Sequence, residues 1–161
     1  MRWLHIDKIT QLEKGKSARA VKNVSIGEDY ITDHFPTYPV MPNSLLIEAL
    51  AQTGGILLGY TLDFKEKIIL AKIEHAVFHE LICAGDQVVL DAEIDELREE
   101  GARIMGTAKV NDKEVARVSI MFVCLKTDPG MNIPEDNFVF TWEFLSLLKL
   151  HEVVSLDMLR K

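Results

Sequence analysis

The chain has 161 residues, 48% of them hydrophobic and 27% charged, which is enough for one domain with a sizeable core and ordinary for a globular protein. A net charge of −7 without a Lys/Arg cluster argues against a nucleic-acid partner, because phosphate binding needs a basic face. The first residues, MRWLHIDKITQLEKGKS, scatter charge through any apolar run and exclude a signal-peptide core, so a cytoplasmic protein is expected.

Residues Trp3 to Ile9 alternate loosely, Glu13 to Lys16 reads as a turn, and Ala18 to Ile26 has β-branched content; together they predict a first hairpin. The stretch Asp33 to Asn43 carries Pro36, Pro39 and Pro42, which forbid helix and cannot donate ladder hydrogen bonds, so a stiff, extended loop is expected. From Ser44 to about Tyr60, SLLIEALAQTGGILLGY reads as helix, with Asn43 or Ser44 as N-cap. It is apolar nearly all round, so something must wrap it, and Gly54-Gly55 suggests the close approach of another backbone. The same stretch holds Glu48, Gln52 and two glycines and is too short and polar for a membrane span.

Strands are predicted over Lys67–Ile73, briefly around Val77–His79, then over Gln87–Leu97, Ala102–Val110 and Glu114–Leu125, separated by turns rich in Gly, Asn and Asp. One long central helix with an antiparallel sheet wrapped around it is an α+β domain. After residue 125 the composition shifts, and Thr141–Lys149 followed by Val153–Leu159 reads as amphipathic helix, so the chain divides into a domain over 1–125 and a C-terminal helical extension over 126–161. Cys83 and Cys124 lack metal-type spacing and are expected to be reduced, half-buried thiols; His75 and His79 lack a following carboxylate at zincin spacing, so no metal site is expected.

Glu48 and Gln52 stand four residues apart, on one face of the predicted helix. A carboxyl buried there would have its pKa raised toward the range of a general acid, with Gln52 orienting it; a solvated seam or a buried cation would serve a structural role equally well. His34 sits at the start of the proline loop, which runs into the helix N terminus, where unpaired N–H groups can stabilise a developing oxyanion.

The run from His34-Phe35-Pro36 through Pro42-Asn43-Ser44-Leu45-Leu46-Ile47-Glu48-Ala49-Leu50-Ala51-Gln52 resembles the signature of the hotdog-fold 3-hydroxyacyl-[acyl-carrier-protein] dehydratases of the FabZ type, with further similarity at Arg19–Ser25, Phe78 and Gly85-Asp86-Gln87. The resemblance implies dehydration of (3R)-3-hydroxyacyl thioesters to trans-2-enoyl thioesters in fatty-acid synthesis. It implies His34 as base and Glu48 as acid, the acid reaching in from a neighbouring subunit. It further implies that the backbone at Asn43 receives the thioester carbonyl, with Val40 and Gln52 on the substrate-binding side. No metal or redox cofactor is implied, since the substrate arrives on the phosphopantetheine of an acyl carrier protein or on coenzyme A. A homodimer or trimer of dimers is the implied assembly.

The resemblance departs at Thr37 and Asn43, where the family carries glycine; threonine disfavours positive φ, so a displaced loop is expected. Around Phe78 the family's basic residues are replaced by Val77, His79, Glu80 and Leu81, which weakens steering of an acidic carrier. A hotdog thioesterase and a non-catalytic acyl-binding or assembly subunit are the competing readings.

Overall fold

The computed structural model describes residues 4–125 and 141–155. Six strands form one antiparallel sheet: β1 (Lys8–Glu13), β2 (Ser17–Asn23), β3 (Lys67–Phe78), β4 (Gln87–Arg98), β5 (Gly101–Val110) and β6 (Lys113–Leu125). Their spatial order is β1-β2-β4-β5-β6-β3. The helices are α1 (Asp29–His34), α2 (Asn43–Thr61) and α3 (Trp142–Leu147).

The inner face of the sheet is set by alternation, with Val88, Leu90 and Ala92 of β4, Ala102, Ile104 and Ala108 of β5, and Ala116, Val118 and Ile120 of β6 all buried against Leu46, Leu50, Leu57 and Leu58 of α2. Gly54 allows this approach: a Cβ there would lie 3.1 Å from the Ile104 side chain and 3.4 Å from that of Phe122. The close neighbours of Gly54 and Gly55 are therefore side chains of β5 and β6, not another backbone.

β3 is a single strand rather than the two pieces expected. The interruption read at Glu74-His75 is a change of register: pairing with β6 shifts between Leu70 and Lys72 and again between Ile73 and His75. Bulges of this kind bend a strand without ending it. β3 is also a sheet edge, exposed from Ile69 to His75.

Cys83 and Cys124 are free thiols, but Cys83 is exposed in the connection between β3 and β4 rather than half-buried. Thr141 caps α3 by accepting a hydrogen bond from the Phe144 N–H at 3.3 Å, and Phe144, Leu145, Leu148 and Leu150 enter the same hydrophobic core as the sheet. The Leu148 carbonyl accepts from Ile9 N–H, tying this segment to β1. The chain turns at Lys149, in the left-handed region with φ 55°, into a short 3₁₀ turn over Leu150–Glu152. Of the second helix expected in this region, Val153–Ser155 are not helical and residues 156–159 lie outside the described residues.

Candidate active site

Proline restraint begins only at Pro36, so the six residues before Phe35 close a short helix, α1, anchored by buried Ile31. His34 is its last residue, not part of an extended loop, and its imidazole is exposed against Phe35 with ring centroids 4.2 Å apart. The Tyr38 N–H then donates to the Phe35 carbonyl at 2.8 Å, closing a turn over residues 35–38.

Neither Thr37 nor Asn43 is among the described residues with positive φ, so this backbone reaches the helix without the freedom of glycine. Val40 is buried and forms an isolated antiparallel bridge to Cys83. Met41 N–H donates to the Ile82 carbonyl at 2.8 Å and Ala84 N–H to that of Pro39 at 3.2 Å, which pins the end of the loop to the segment before β4.

α2 begins at Asn43 with Pro42, not Asn43 or Ser44, as its N-cap. The Pro42 carbonyl accepts from both Leu45 and Leu46 N–H, at 3.0 and 3.2 Å. Those two donors are satisfied, while the first two, on Asn43 and Ser44, have no acceptor within the helix. Both residues are exposed, so the positive end of a 19-residue helix opens at the surface.

Glu48 is not buried, as the apolar sequence around it suggested; in the protomer it is exposed on the same face as Ser44. It is nevertheless held. Gln52 Nε2 donates to Glu48 Oε1 at 2.9 Å, and Gln52 Oε1 accepts the His5 main-chain N–H at 2.9 Å. Among the described residues no hydrogen bond or ion pair joins His34 to Glu48 within one protomer.

Around His5, within the electrostatic reach of Glu48, lies a polar cluster that sequence reading missed, because its members are scattered over the segment before β1, β2, the loop before α1 and α1 itself. Lys22 is buried on β2 and pairs with Glu28 at 2.8 Å and Asp7 at 3.7 Å. Burial alone would raise the Glu28 carboxyl, but the hydrogen bond and charge of Lys22, with the Ser25 N–H donating to it at 3.3 Å, hold it below its ordinary value. Burial, reinforced by Glu28, pushes the Tyr30 phenol far above its usual range. His5 is 6% exposed, and burial pulls its imidazole below the ordinary histidine value; Lys22 adds to the fall, while Glu48 and Glu28 oppose it.

The FabA-like domain family profile matches residues 1–119. The chain is 44% identical over 121 residues to the 3-hydroxyacyl-[acyl-carrier-protein] dehydratase FabZ of Clostridium tetani, covering 74% of this chain and 85% of that one. It is 38% identical over 122 residues to the FabZ dehydratase of Caldanaerobacter subterraneus subsp. tengcongensis, covering 75% and 86% respectively. Among solved structures, the dehydratase heterocomplex ApeI:P from Xenorhabdus doucetiae superposes with a TM-score of 0.66 at 10% identity, over 78% of this chain and 85% of that one, a likeness of fold alone. The sheet wrapped on α2 is thus a hotdog fold. The chain belongs to the FabA-like family and stands within it among the FabZ-type dehydratases of fatty-acid synthesis.

Proposed function

We propose that this chain converts 3-hydroxyacyl thioesters, delivered on acyl carrier protein, to trans-2-enoyl thioesters, with His34 as base and Glu48 as acid. The observation that carries the assignment of residues is the stripe Ser44-Glu48-Gln52 on the open face of α2. It joins an exposed helix N terminus to a carboxyl fixed by an amide, and the loop entering that helix starts at His34.

An imidazole nitrogen of His34 takes the proton from C2. The electron pair left behind forms the C2=C3 bond as the C3–O bond breaks, and Glu48 gives its proton to the departing hydroxyl, which leaves as water. Charge that builds on the thioester carbonyl is met by the N–H of Asn43 at the helix start, with Val40 forming the wall beside it. His34 ends protonated and Glu48 ionised, and proton exchange with solvent resets both; no metal or redox cofactor is required by this balance.

The working unit in this reading is a homodimer, or a trimer of such dimers. Among the described residues β3 leaves one edge of the sheet unpaired, and it exposes Ile69, Leu70 and Ile73 along that edge. Glu48 and His34 are both exposed and unconnected in one protomer, so a second copy can bring one to the other.

The test is hydration of a crotonyl thioester, offered on acyl carrier protein and on coenzyme A, followed by loss of enoyl absorbance. Turnover that vanishes in His34→Ala and in Glu48→Gln is expected. Absence of turnover in the wild type, or retention of the full rate in both variants, overturns the reading, and thiol release without enoyl chemistry assigns a thioesterase instead.

A further inference from the structure

Glu48 offers two oxygens, and the acid step needs its proton on the one that faces substrate. We propose that the main-chain N–H of His5 settles which one: it fixes the Gln52 amide, which in turn holds Glu48 Oε1 as an acceptor and leaves the transferable proton on Oε2. This deepens the dehydratase reading and rests on it.

A main-chain N–H can only donate, so the Gln52 oxygen must face His5 and its NH₂ must face Glu48. Both contacts are 2.9 Å, within the normal range. An N–H directed at Oε1 selects the unprotonated, carbonyl-like oxygen of the neutral acid, because an oxygen that carries a proton is the poorer acceptor. Among the described residues Glu48 Oε2 has no hydrogen-bond partner.

The donor is rigidly held. Asp7 N–H donates to the Val21 carbonyl at 2.8 Å, and Asp7 Oδ2 accepts from the Asn23 N–H and Nδ2 at 2.6 and 2.8 Å. Ile6 is buried in the core, and the buried His5 ring meets the Tyr30 ring edge-on, with centroids 6.1 Å apart. Lys22, Glu28 and Glu48 are the charged groups around that ring, and burial lowers the imidazole's pKa against the pull of the two carboxylates. His5 and Gln52 are therefore positioning residues, acting through Glu48.

The experiment measures kcat and KM for hydration of the crotonyl thioester by His5→Ala, which keeps the N–H, and His5→Pro, which removes it. His5→Pro should fall about tenfold below His5→Ala in kcat, with KM within about twofold, as expected for losing one hydrogen bond that fixes the amide. Gln52→Met should lose a similar factor, and the His5→Pro/Gln52→Met double variant should be no slower than Gln52→Met alone, since both break one chain. Equal kcat in His5→Pro and His5→Ala, or losses that multiply, would overturn the relay.

If His5→Pro does not fold, Gln52→Glu decides. It places two carboxyls side by side that fit only when they share a proton, so activity should return on acidification, whereas Gln52→Met should stay slow at every pH. A Gln52→Glu pH profile identical to wild type refutes the proposal. Wild-type protein that does not hydrate the thioester refutes the dehydratase reading itself, a result distinct from turnover that is indifferent to His5 and Gln52.

Discussion

The two halves of α2 differ in a way their similar composition hides. From Thr53 to Gly59 every residue is buried, and the helix is enclosed by β4, β5 and β6. From Asn43 to Gln52 the inner positions Leu46, Ala49 and Leu50 are equally buried, while Asn43, Ser44 and Glu48 stay open. One helix thus anchors the fold at one end and presents its dipole, its unpaired N–H groups and its carboxyl at the other. Rigidity at the C-terminal half is what keeps the N-terminal half in place.

That division can be broken from either side. The largest effect should come from the open half: Glu48→Gln and His34→Ala are each expected to lower the hydration rate by about a thousandfold, roughly 4 kcal/mol, with the thermal midpoint shifted by no more than about 2 °C, because both side chains are exposed. A comparable fall in midpoint would place these residues in the folding core instead. The enclosed half should behave in the opposite sense. Leu57→Ala empties a fully buried position and should cost about 2–5 kcal/mol in urea unfolding, with kcat of the folded fraction within about twofold. A third change tests whether a second copy covers the open half: Ile73→Asp on the β3 edge should weaken self-association by about 2 kcal/mol in sedimentation equilibrium and reduce activity at low protein concentration. Unchanged association would remove β3 from the dimer.

How much of this was legible in the sequence follows the same boundary. The helix and the strands β4, β5 and β6 follow from long runs with a clear period, and the enclosed half of α2 follows from its apolar composition. The His34-Phe35-Pro36 run and the Glu48/Gln52 spacing single out candidate residues from the sequence alone. Their surroundings were not legible there. An all-round apolar helix implied a buried Glu48, yet nothing among the described residues covers that position, and composition alone does not say which side of a helix the sheet leaves open. α1 was hidden because a six-residue helix has too few turns to display a period, and the prolines after it dominate the segment. β3 was split because the register shifts at Leu70/Lys72 and Ile73/His75 break the alternation by which a strand is recognised. His5 carried no signal, since its contribution to the site is a main-chain N–H that every residue but proline has.

The smallest expected effect separates the buried imidazole of His5 from the carboxylates. The folded-state pKa of His5 lies below its ordinary value of about 6.5, chiefly through burial, so the unfolded chain takes up this proton first as pH falls. Its contribution to stability is complete above about pH 6.5 and is lost on acidification toward the folded value, below which it changes no further. Glu28 and Asp91 are also held low, against burial, by Lys22 in one case and by Arg19 and Lys109 in the other. Their stabilisation is present above the ordinary carboxyl range of about 4 and disappears only as pH falls through their lower folded values. The midpoint should therefore decline in two stages, and His5→Leu should abolish the first, which begins as pH falls below about 6.5, while sparing the second. A single decline confined to the carboxyl range in the wild type would mean that the imidazole under Glu48 is hydrated and that the relay above it is not held by a dry, neutral ring.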